Sequence, residues 1–578
     1  MDREKEPSTV TAMPSGNTPP ARDGPEAGTP PSEGPSVPDK EVIQPDEQEY
    51  VTGFKLAIIV ASVALTCFLM LLDTMIISTA IPRITDTFNS LPDVGWYASA
   101  YQFGSAAPQP LTGKIYTHFN TKWSFFVFFG IFEIGSVLCG AAVSSAMLIV
   151  GRAVAGFGAA GIINGAITII SSCAPLEKRP ALIGITMGLN QLGLVAGPLI
   201  GGAFTSYTTW RWCFYVNLPV GAVAVIALLI LRIPEQTKKQ NPLVVLRNLH
   251  HYLDLLGFVL FAPAVLQLLL ALQYGGSEYP WNSSRVIGLF CGSAANFVVW
   301  LFWNRYKGDD ALLPPSMVKQ TAVWASGLYQ AFMISAVYGA TFFLPIYFQA
   351  INDASPMMSG VYLLPTILPQ LFAAGASGVL LQKIGYVIYL AIPGTILLSI
   401  GSGLYSILRP GSPTGWWVGF QIIAGFGSGL SMQLAILAVQ AAVGADSLAT
   451  GMAFVIFAQS LGPAIMLALC DVIFDASLRS GLQARVGHLD TEAIIRAGAT
   501  GFRAIVPAVD LPEIVTVIAD SVDRVFYLVA AVAAVCGVVL WGMGWTDLRQ
   551  QQEGGDVEEG GKGDGNLKGG EKRSAELE

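Results

Sequence analysis

The clearest ionisable side chains within the long apolar segments of this sequence are Asp73, Glu133 and Arg152. An ionisable group inside a bilayer costs at least ~3 kcal/mol on insertion scales and usually marks a functional site. At a rise of about 1.5 Å per helical residue, Asp73 lies about 10 Å from the end of the first apolar segment, and Arg152 lies about 9 Å from the start of the fourth. The matching depths predict an ion pair between these two side chains.

A carboxylic acid beside an arginine is suited to carrying a proton. The arginine favours the carboxylate, whereas removal from water favours the neutral acid, so a cationic or polar substrate can shift the balance between the two forms. The alternative is that Asp73 and Arg152 only hold two helices together. Glu133 lies in the third segment, where we expect it to form a hydrogen bond between helices rather than to take part in proton transfer.

The composition is that of a membrane protein that crosses the bilayer many times. Of 578 residues, 53% are hydrophobic and only 12% are charged, whereas ~25% are charged in ordinary globular proteins. The net charge is −8, and the absence of a basic stripe argues against binding to nucleic acid. The sequence has no phosphate-binding loop of the ATPase type and no Cys or His spacing typical of a metal site. We therefore expect no catalytic residues, no metal, no cofactor and no ATP site.

Fourteen apolar segments are long enough to cross the ~30 Å hydrocarbon core of a bilayer as helices. Lys and Arg are concentrated on one side of these segments, and the short loops on the other side contain only Arg83, Arg211, Arg285 and Arg409. Because cytosolic loops carry the excess of positive residues, both termini are predicted to be cytosolic. The predicted spans are 56–80, 96–116, 123–143, 146–172, 181–206, 212–231, 253–273, 285–303, 322–350, 357–382, 386–407, 415–441, 450–472 and 525–545.

The spans are flanked by two polar tails and divided by a linker. Residues 1–50 and 549–578 are rich in Gly and charged residues, the first also in Pro, and both are predicted to be disordered because they cannot bury enough apolar surface. Residues 51–231 form a six-helix half, 232–320 form a linker with two inserted spans, and 321–548 form a second six-helix half. In its outer loop, about 476–524, the sequence from Asp510 to Ile514 predicts a short amphipathic helix.

An internal repeat supports this division. The sequence Ala-Gly-Phe-Gly occurs at 155–158 in span four and again at 424–427 in span twelve, and the next span contains Gly-Pro in both cases, at 197–198 and 462–463. Spans one to six therefore repeat as spans nine to fourteen, and Gln421 takes the place of Arg152 in the second half. Parallel six-span repeats with a binding site at their interface are typical of secondary transporters.

Span five contains a stripe of small residues. Gly193, Gly197 and Gly201 recur every four residues, followed by Gly202, and together they form a flat face that another helix can approach closely. Pro198 removes one backbone hydrogen bond and permits a bend at its position. The alternative interpretation is ordinary tight packing without any role in transport.

Four motifs in this order resemble those of the major facilitator superfamily, in particular its fourteen-span drug:proton antiporters. The resemblance implies a major facilitator fold, a role for Arg152 in proton transfer, and an antiporter motif in span five. Within that family, the sequence is most similar to fungal toxin and multidrug efflux pumps. The motifs are Leu72–Pro82 in span one, Arg152–Gly161 in span four, the span-five glycines with Gly197-Pro198, and Trp210–Pro219 at span six.

One motif departs from the superfamily pattern. After span two, the resemblance implies a Gly followed four residues later by an acid, and then by basic residues. This sequence has Gly113 and Lys114, but Thr117 stands in place of the acid. A threonine cannot form an ion pair, so the charged latch that this cytosolic loop provides in the family is in doubt here.

Together these features favour a proton-coupled exporter of small, largely apolar molecules that works by alternating access. Asp73 would take up a proton from outside as the substrate leaves. The alternatives are a proton-coupled importer, such as a siderophore-iron transporter, a membrane acyltransferase and a transporter-derived sensor. The candidate polar anchors for substrate are Asn164, Asn190, Gln191, Gln433 and Gln459.

The expected partners of the chain are the lipid bilayer, protons and a small-molecule substrate. We expect a monomer in the plasma membrane, with a vacuolar or vesicle membrane as the alternative. Asn282 begins a glycosylation sequon in an outer loop, but it lies so close to the membrane that we expect no attached glycan.

Overall fold

A computed structural model describes residues 50–88, 93–236, 239, 241–276, 279–443 and 447–545. The described part of the chain is built from helices and contains no extended strand beyond one isolated bridge between Gly275 and Tyr279. The predicted tails, 1–50 except for Tyr50 and 549–578, lie outside the described residues.

The first helix group contains the helices that correspond to predicted spans one to six. Side-chain oxygens of Asn120 and Ser144 accept hydrogen bonds from the first turns of two of these helices, which fixes where the helices begin. The group consists of α1 (Gly53–Phe88), α2 (Val94–Ala106), α3 (Gln109–His118), α4 (Thr121–Gly140), α5 (Ser145–Cys173), α6 (Arg179–Gln191), α7 (Gly193–Tyr207), α8 (Trp212–Tyr215) and α9 (Asn217–Ile230).

The inserted segment follows as two short helices and a long helical pair. Asp254 holds this pair together, because its carboxylate accepts hydrogen bonds from the Trp303 indole at 2.8 Å and from the backbone of Leu312 at 2.8 Å. Its helices are α10 (Pro242–Arg247), α11 (Leu249–Tyr252), α12 (Leu255–Tyr274), α13 (Ser284–Lys307) and α14 (Pro315–Val318), with a 3-10 turn at Gly308–Asp310.

The second helix group corresponds to predicted spans nine to fourteen. It consists of α15 (Thr321–Ile346), α16 (Pro356–Val361), α17 (Leu364–Ile384), α18 (Val387–Tyr405), α19 (Thr414–Ser431), α20 (Leu434–Ala442), α21 (Leu448–Val486), α22 (Thr491–Ile505) and α23 (Leu511–Val539). A π-helical turn at Tyr347–Ile351 follows α15, and a 3-10 turn at Leu540–Met543 follows α23.

Among the described residues, twelve helical segments are long and apolar enough to cross a membrane. The other two predicted spans, 96–116 and 181–206, are each built from two shorter helices in succession, α2 with α3 and α6 with α7. The first break falls beside Pro108 and Pro110, which have no backbone N–H to donate. The second falls at Leu192, whose N–H bonds the carbonyl of Leu189, so the helix narrows to a 3-10 turn.

The predicted outer loop is shorter than expected, because helices extend into it from both sides. α21 continues to Val486 instead of ending near 472, and an ion pair one turn apart, between Arg479 and Asp475 at 2.8 Å, supports the extension. The sequence Asp510–Ile514 does not form a separate short helix; it begins the long helix α23, with Pro512 in its first turn. Only α22 is a separate helix in the described part of this loop.

The repeated Ala-Gly-Phe-Gly sequences make the same contact in the two helix groups. Gly156 of α5 lies directly against the carbonyl oxygen of Tyr101 in α2, and Gly425 of α19 lies against the carbonyl oxygen of Thr366 in α17. In both places the backbones approach so closely that a methyl group would not fit. The internal repeat of the sequence therefore corresponds to a repeated helix packing.

The two helix groups meet at the end of the bundle that contains Gly113, which we call the Gly113 end. There a Cβ atom at Gly113 of α3 would lie 2.8 Å from Cβ of Ala453 and 2.9 Å from Cα of Thr450, both in α21. The amide of Gln440 donates to the hydroxyl of Ser171 at 3.1 Å across the same boundary. In the predicted topology this is the cytosolic end.

The contact at Gly113 predicts that a larger side chain forces the two helix groups apart. We expect Gly113→Val to destabilise the protein by about 1–3 kcal/mol, the usual cost of overpacking, and to lower its melting temperature in detergent. The matched control is Gly130→Val in α4, because a Cβ atom at Gly130 would have no neighbour within 4 Å. Equal melting temperatures for the two variants would contradict this packing.

Candidate functional site

The predicted ion pair is present. Arg152 Nη1 lies 2.5 Å from Asp73 Oδ2, and both side chains are buried, with exposed fractions of 0% and 1%. α1 supplies the carboxylate and α5 supplies the guanidinium. Because neither charge reaches the surface of the described structure, each depends on the other for its neutralisation.

The guanidinium of Arg152 has further partners that position it. Its Nε donates to the carbonyl of Tyr97 at 2.9 Å, and its central carbon lies 4.5 Å from the centre of the Tyr101 ring. Its Nη2 has no hydrogen-bond partner among the described residues. The arginine is therefore held by α2 as well as by Asp73, so it can keep its place when Asp73 is neutralised.

Asn217 in α9 is a member of this site that sequence reasoning missed. Its Nδ2 donates to Asp73 Oδ1 at 3.0 Å and lies 3.0 Å from Ser136 Oγ in α4. The two oxygens of the Asp73 carboxylate are thus bound by different groups, one by Arg152 and the other by Asn217. The available signal was that Asn217 is a polar residue within the span-six motif.

The hydrogen bond predicted for Glu133 is absent, and that prediction was wrong. Both carboxylate oxygens of Glu133 are buried, and neither has a hydrogen-bond partner in the described part of the chain. The carboxylate lies against Gly221 of α9. The hydrogen bond between these helices lies one turn away: Asn217 of α9 donates it to the hydroxyl of Ser136 of α4.

The glycine stripe of span five packs against the helix that carries Asp73. Cβ atoms at Gly193 and Gly197 would lie 2.8 Å from the backbone nitrogen of Leu72 and 2.6 Å from Cβ of Met75. Gly201 faces the next turn of α1, whereas a Cβ atom at Gly202 would have no neighbour within 4 Å. The stripe therefore brings span five against the turns of α1 on both sides of Asp73.

The interruption of the span-five helix does not fall at Pro198, where a bend is permitted. The helix is continuous through Pro198 and is interrupted six residues earlier, at Leu192. The proline is in the first two turns of α7, and the 3-10 hydrogen bond to Leu189 tightens the chain before that helix begins.

The loop after span two is held by uncharged contacts and by the linker. Lys114 Nζ donates to the carbonyl of Asp310 at 3.4 Å, and Thr117 Oγ1 lies 3.3 Å from Thr450 Oγ1 at the start of α21. Among the described residues, therefore, no ion pair takes the place of the missing acid at Thr117 in the contact with α21. The next two contacts of this loop come from the linker after α9.

The linker caps both helices at this loop. Lys239 Nζ donates to the carbonyls of Tyr116 and Thr117 at 2.9 and 3.0 Å, where α3 ends. The Glu235 carboxylate accepts from the backbone and hydroxyl of Thr121, where α4 begins. A cation at a helix C-terminus and an anion at a helix N-terminus both suit the helix dipole. Charges from the linker thus stabilise the loop that lacks its own acid.

The five candidate anchors for substrate do not form one cluster. Asn164 donates to the Thr112 hydroxyl at 3.1 Å within the first helix group, and Gln459 accepts from Gln330 at 3.0 Å within the second. Gln433 donates to the carbonyl of Ala374 at 3.0 Å, and its side chain faces Gly184 of α6, so it lies where the two groups meet.

The other two anchors, Asn190 and Gln191, are buried at the end of α6. The side-chain oxygen of Asn190 has no hydrogen-bond partner among the described residues. A separate small cavity lies within the second group and is lined in part by Thr366, Gln370 and Ser402. None of the five candidates lines this cavity.

The sequon residue Asn282 is exposed in the turn that precedes α13. The next residue, Ser283, begins the helix by accepting a hydrogen bond from the backbone of Val286 at 3.3 Å. The absence of a glycan at Asn282 stays a prediction.

The fold and the buried pair define a polytopic helical membrane protein with an ion pair inside one of two similar helix groups. Residues 63–467 match the sequence model of the Major Facilitator Superfamily. The chain belongs to this superfamily and is a membrane transporter, not an enzyme.

Several curated fungal proteins are similar over most of their length. The chain is 52% identical to the MFS-type transporter pigP of Monascus ruber over 504 residues, which cover 87% of this chain and 88% of the relative. It is 45% identical to the efflux pump mlcE of Penicillium citrinum over 539 residues, which cover 91% and 98%. A solved structure, the proton:xylose symporter XylE bound to 6-bromo-6-deoxy-D-glucose, aligns with a TM-score of 0.55 at 13% identity over 86% of this chain and 99% of that one. The last similarity concerns the fold alone.

The contacts of Asn217 predict that it supports the Asp73 carboxylate. Asn217→Ala leaves Asp73 Oδ1 and Ser136 Oγ without their donor, and loss of a buried partner costs about 1–3 kcal/mol. We expect a lower melting temperature together with reduced transport of a lipophilic dye. The matched control, Asn296→Ala, removes an interhelical hydrogen bond to the side chain of Gln267 in the inserted pair. If both variants lose transport equally, Asn217 has no particular relation to Asp73.

Proposed function

We propose that this transporter exports small, largely apolar molecules in exchange for protons. The observation that carries the proposal is the buried pair of Asp73 and Arg152, with Asn217 on the second carboxylate oxygen. A buried acid whose charge is balanced by a single cation is a site at which protonation changes the local charge by one unit. In a membrane, such a change is large enough to alter how helices pack.

The proposed exporter has fourteen spans and two cytosolic termini. The interrupted pairs, α2 with α3 and α6 with α7, run over residues 94–118 and 179–207, and helical segments of that length reach ~35–45 Å. Both are long enough to cross the ~30 Å hydrocarbon core. Added to the twelve segments that are long and apolar enough to cross a membrane, they give two six-span halves with two inserted spans.

In the proposed cycle, a proton from outside binds Asp73 as the substrate leaves. Neutral Asp73 releases Arg152 Nη1, and the guanidinium stays on the Tyr97 carbonyl and the Tyr101 ring. Because α1 packs against the glycine stripe of span five, loss of the charge contact changes the packing of a helix at the interface between the halves. The halves then rock, and the Gly113 end opens toward the cytosol.

The proton gradient supplies enough energy for this work. One proton provides about 2.3 kcal/mol per 100 mV and about 1.4 kcal/mol per pH unit. At roughly 100 mV and one pH unit, one proton can concentrate a neutral substrate ~500-fold. No nucleotide is needed, and we propose that the protein acts as a monomer in the plasma membrane.

The proposed direction of transport is outward. The glycine stripe with Gly197-Pro198 resembles the antiporter motif, and its contacts with α1 link it to Asp73. The relative from Penicillium citrinum is named an efflux pump, which supports export of a secondary metabolite or a similar small molecule. We therefore place toxins, secondary metabolites and drugs in the substrate class.

Accumulation of Nile red, a neutral lipophilic dye, in cells that express this chain tests the proposal. We expect wild type to lower the steady-state dye content several-fold, and Asp73→Asn or a protonophore to restore it. The matched control is Asp471→Asn, which removes an exposed acid from α21. A higher dye content with wild type would contradict export and favour import, and full activity of Asp73→Asn would remove Asp73 from the mechanism.

A further inference from the structure

Glu133 is a half-buried acid with a buried carboxylate, and the proposed cycle does not use it. Its helix, α4, is a membrane span, and both of its carboxylate oxygens are buried without a hydrogen-bond partner in the described part of the chain. An ionised carboxylate in such a place would cost several kcal/mol. The surroundings of the two carboxyl groups therefore differ: Asp73 faces a cation, which favours its charged form, whereas Glu133 faces none, and this favours its neutral form.

The position of Glu133 relates it directly to Asp73. Glu133 and Ser136 are three residues apart on α4, and Asn217 and Gly221 are four residues apart on α9, so each pair lies on one face of its helix. Ser136 contacts Asn217 at 3.0 Å, and the Glu133 carboxylate contacts Gly221. Glu133 therefore lies one helical turn beyond the hydrogen bonds that connect Ser136 and Asn217 to Asp73.

The space for the Glu133 carboxylate exists only because residue 221 is glycine. A Cβ atom at Gly221 would collide with Glu133 Oε1 and would lie 2.5 Å from the ring of Phe129 on the same helix as Glu133. α9 itself carries no titratable side chain. The helices packed against α4 and α9 carry charged or titratable groups that include Asp73 of α1, Arg152 of α5 and the buried thiol of Cys213 in α8.

Glu133 lies closer to the Gly113 end than the hydrogen bonds around Asp73 do. α4 begins at Thr121, next to the Gly113 end, and finishes at Gly140. Glu133 is therefore about 4.5 Å closer to the Gly113 end than Ser136 is, at about 1.5 Å per residue. In the predicted topology, an inward-moving proton meets Asp73 first and the level of Glu133 second.

We propose that Glu133 is the second proton-carrying residue of the exporter, which receives the proton from Asp73 and releases it toward the cytosol. The inference rests on the proposed proton-coupled export. In the transfer, the O–H bond of the Asp73 carboxylic acid breaks and an O–H bond forms on the Glu133 carboxylate. Asp73 regains its charge and binds Arg152 again, which is the contact present in the structure, and Glu133 then carries the proton. No other reactant is required, and the total charge of the two acids does not change.

The first experiment measures the proton on Glu133 without any transport. Infrared spectra of the purified full chain in nanodiscs at neutral pH should contain the C=O stretch of a buried, neutral carboxylic acid. We expect Glu133→Gln to remove this component, and Asp73→Asn and the control Asp471→Asn to retain it. A spectrum of Glu133→Gln that keeps the component would overturn the proposal.

The second experiment measures proton movement during export of Nile red from proteoliposomes. Glutamine has the shape of glutamate but cannot release a proton, so Glu133→Gln should lower the initial rate of export at least tenfold, whereas Glu133→Asp should restore much of it. A merely structural role would leave Glu133→Gln active, and that result would overturn the relay.

The two experiments separate the inference from the function on which it rests. If wild type exports the dye with counter-movement of protons and Glu133→Gln does so at the same rate, only the role of Glu133 is refuted. If wild type moves no dye, both the export and the relay are refuted. Asp471→Asn should match wild type in every assay.

Discussion

The structure depends on one desolvated ion pair. Asp73 and Arg152 lie in different helices and are both fully buried, so each charge would be costly without the other. This constraint brings α1 and α5 together, and it requires α2 and α9 to supply the remaining partners, the Tyr97 carbonyl and the Asn217 amide. Any event that neutralises Asp73 therefore acts on four helices at once.

The small residues around the ion pair determine which helix contacts are affected when Asp73 is neutralised. The glycine stripe of span five lies against α1 on both sides of Asp73, so α1 and span five share a close interface without bulky side chains. At the Gly113 end, glycine again permits the backbones of α3 and α21 to meet. A change at Asp73 therefore acts directly on the contact between α1 and span five.

The sequence was sufficient to predict residues whose position carries a high free-energy cost. Asp73 and Arg152 stand out because charges are rare in apolar segments, and their equal depth predicted the pair that the structure contains. The Gly-rich repeat likewise predicted a repeated packing, because close helix contacts require small residues. Helix boundaries were harder to predict: the span was expected to end near 472, but α21 continues to Val486, and one ion pair within it, between Arg479 and Asp475, supports the extension.

Contacts between distant segments could not be predicted from composition or spacing. Asn217 is an ordinary polar residue in the sequence, and only the packing of α9 against α1 and α4 brings it to Asp73. The same holds for Glu235 and Lys239, whose linker returns to cap α3 and α4. For Glu133, the sequence indicated a hydrogen bond because an acid in a membrane helix usually has a partner, but the partner position is occupied by Gly221.

The central claim is that dye and protons move in opposite directions through the site at Asp73. Proteoliposomes that contain the purified chain and a pH-sensitive dye in their lumen test it most directly, with an imposed Nile red gradient and no initial pH difference. The account predicts that movement of Nile red drives protons the opposite way with wild type and drives none with Asp73→Asn. Proton movement in the same direction as Nile red, or equal movement with Asp73→Asn, would contradict it.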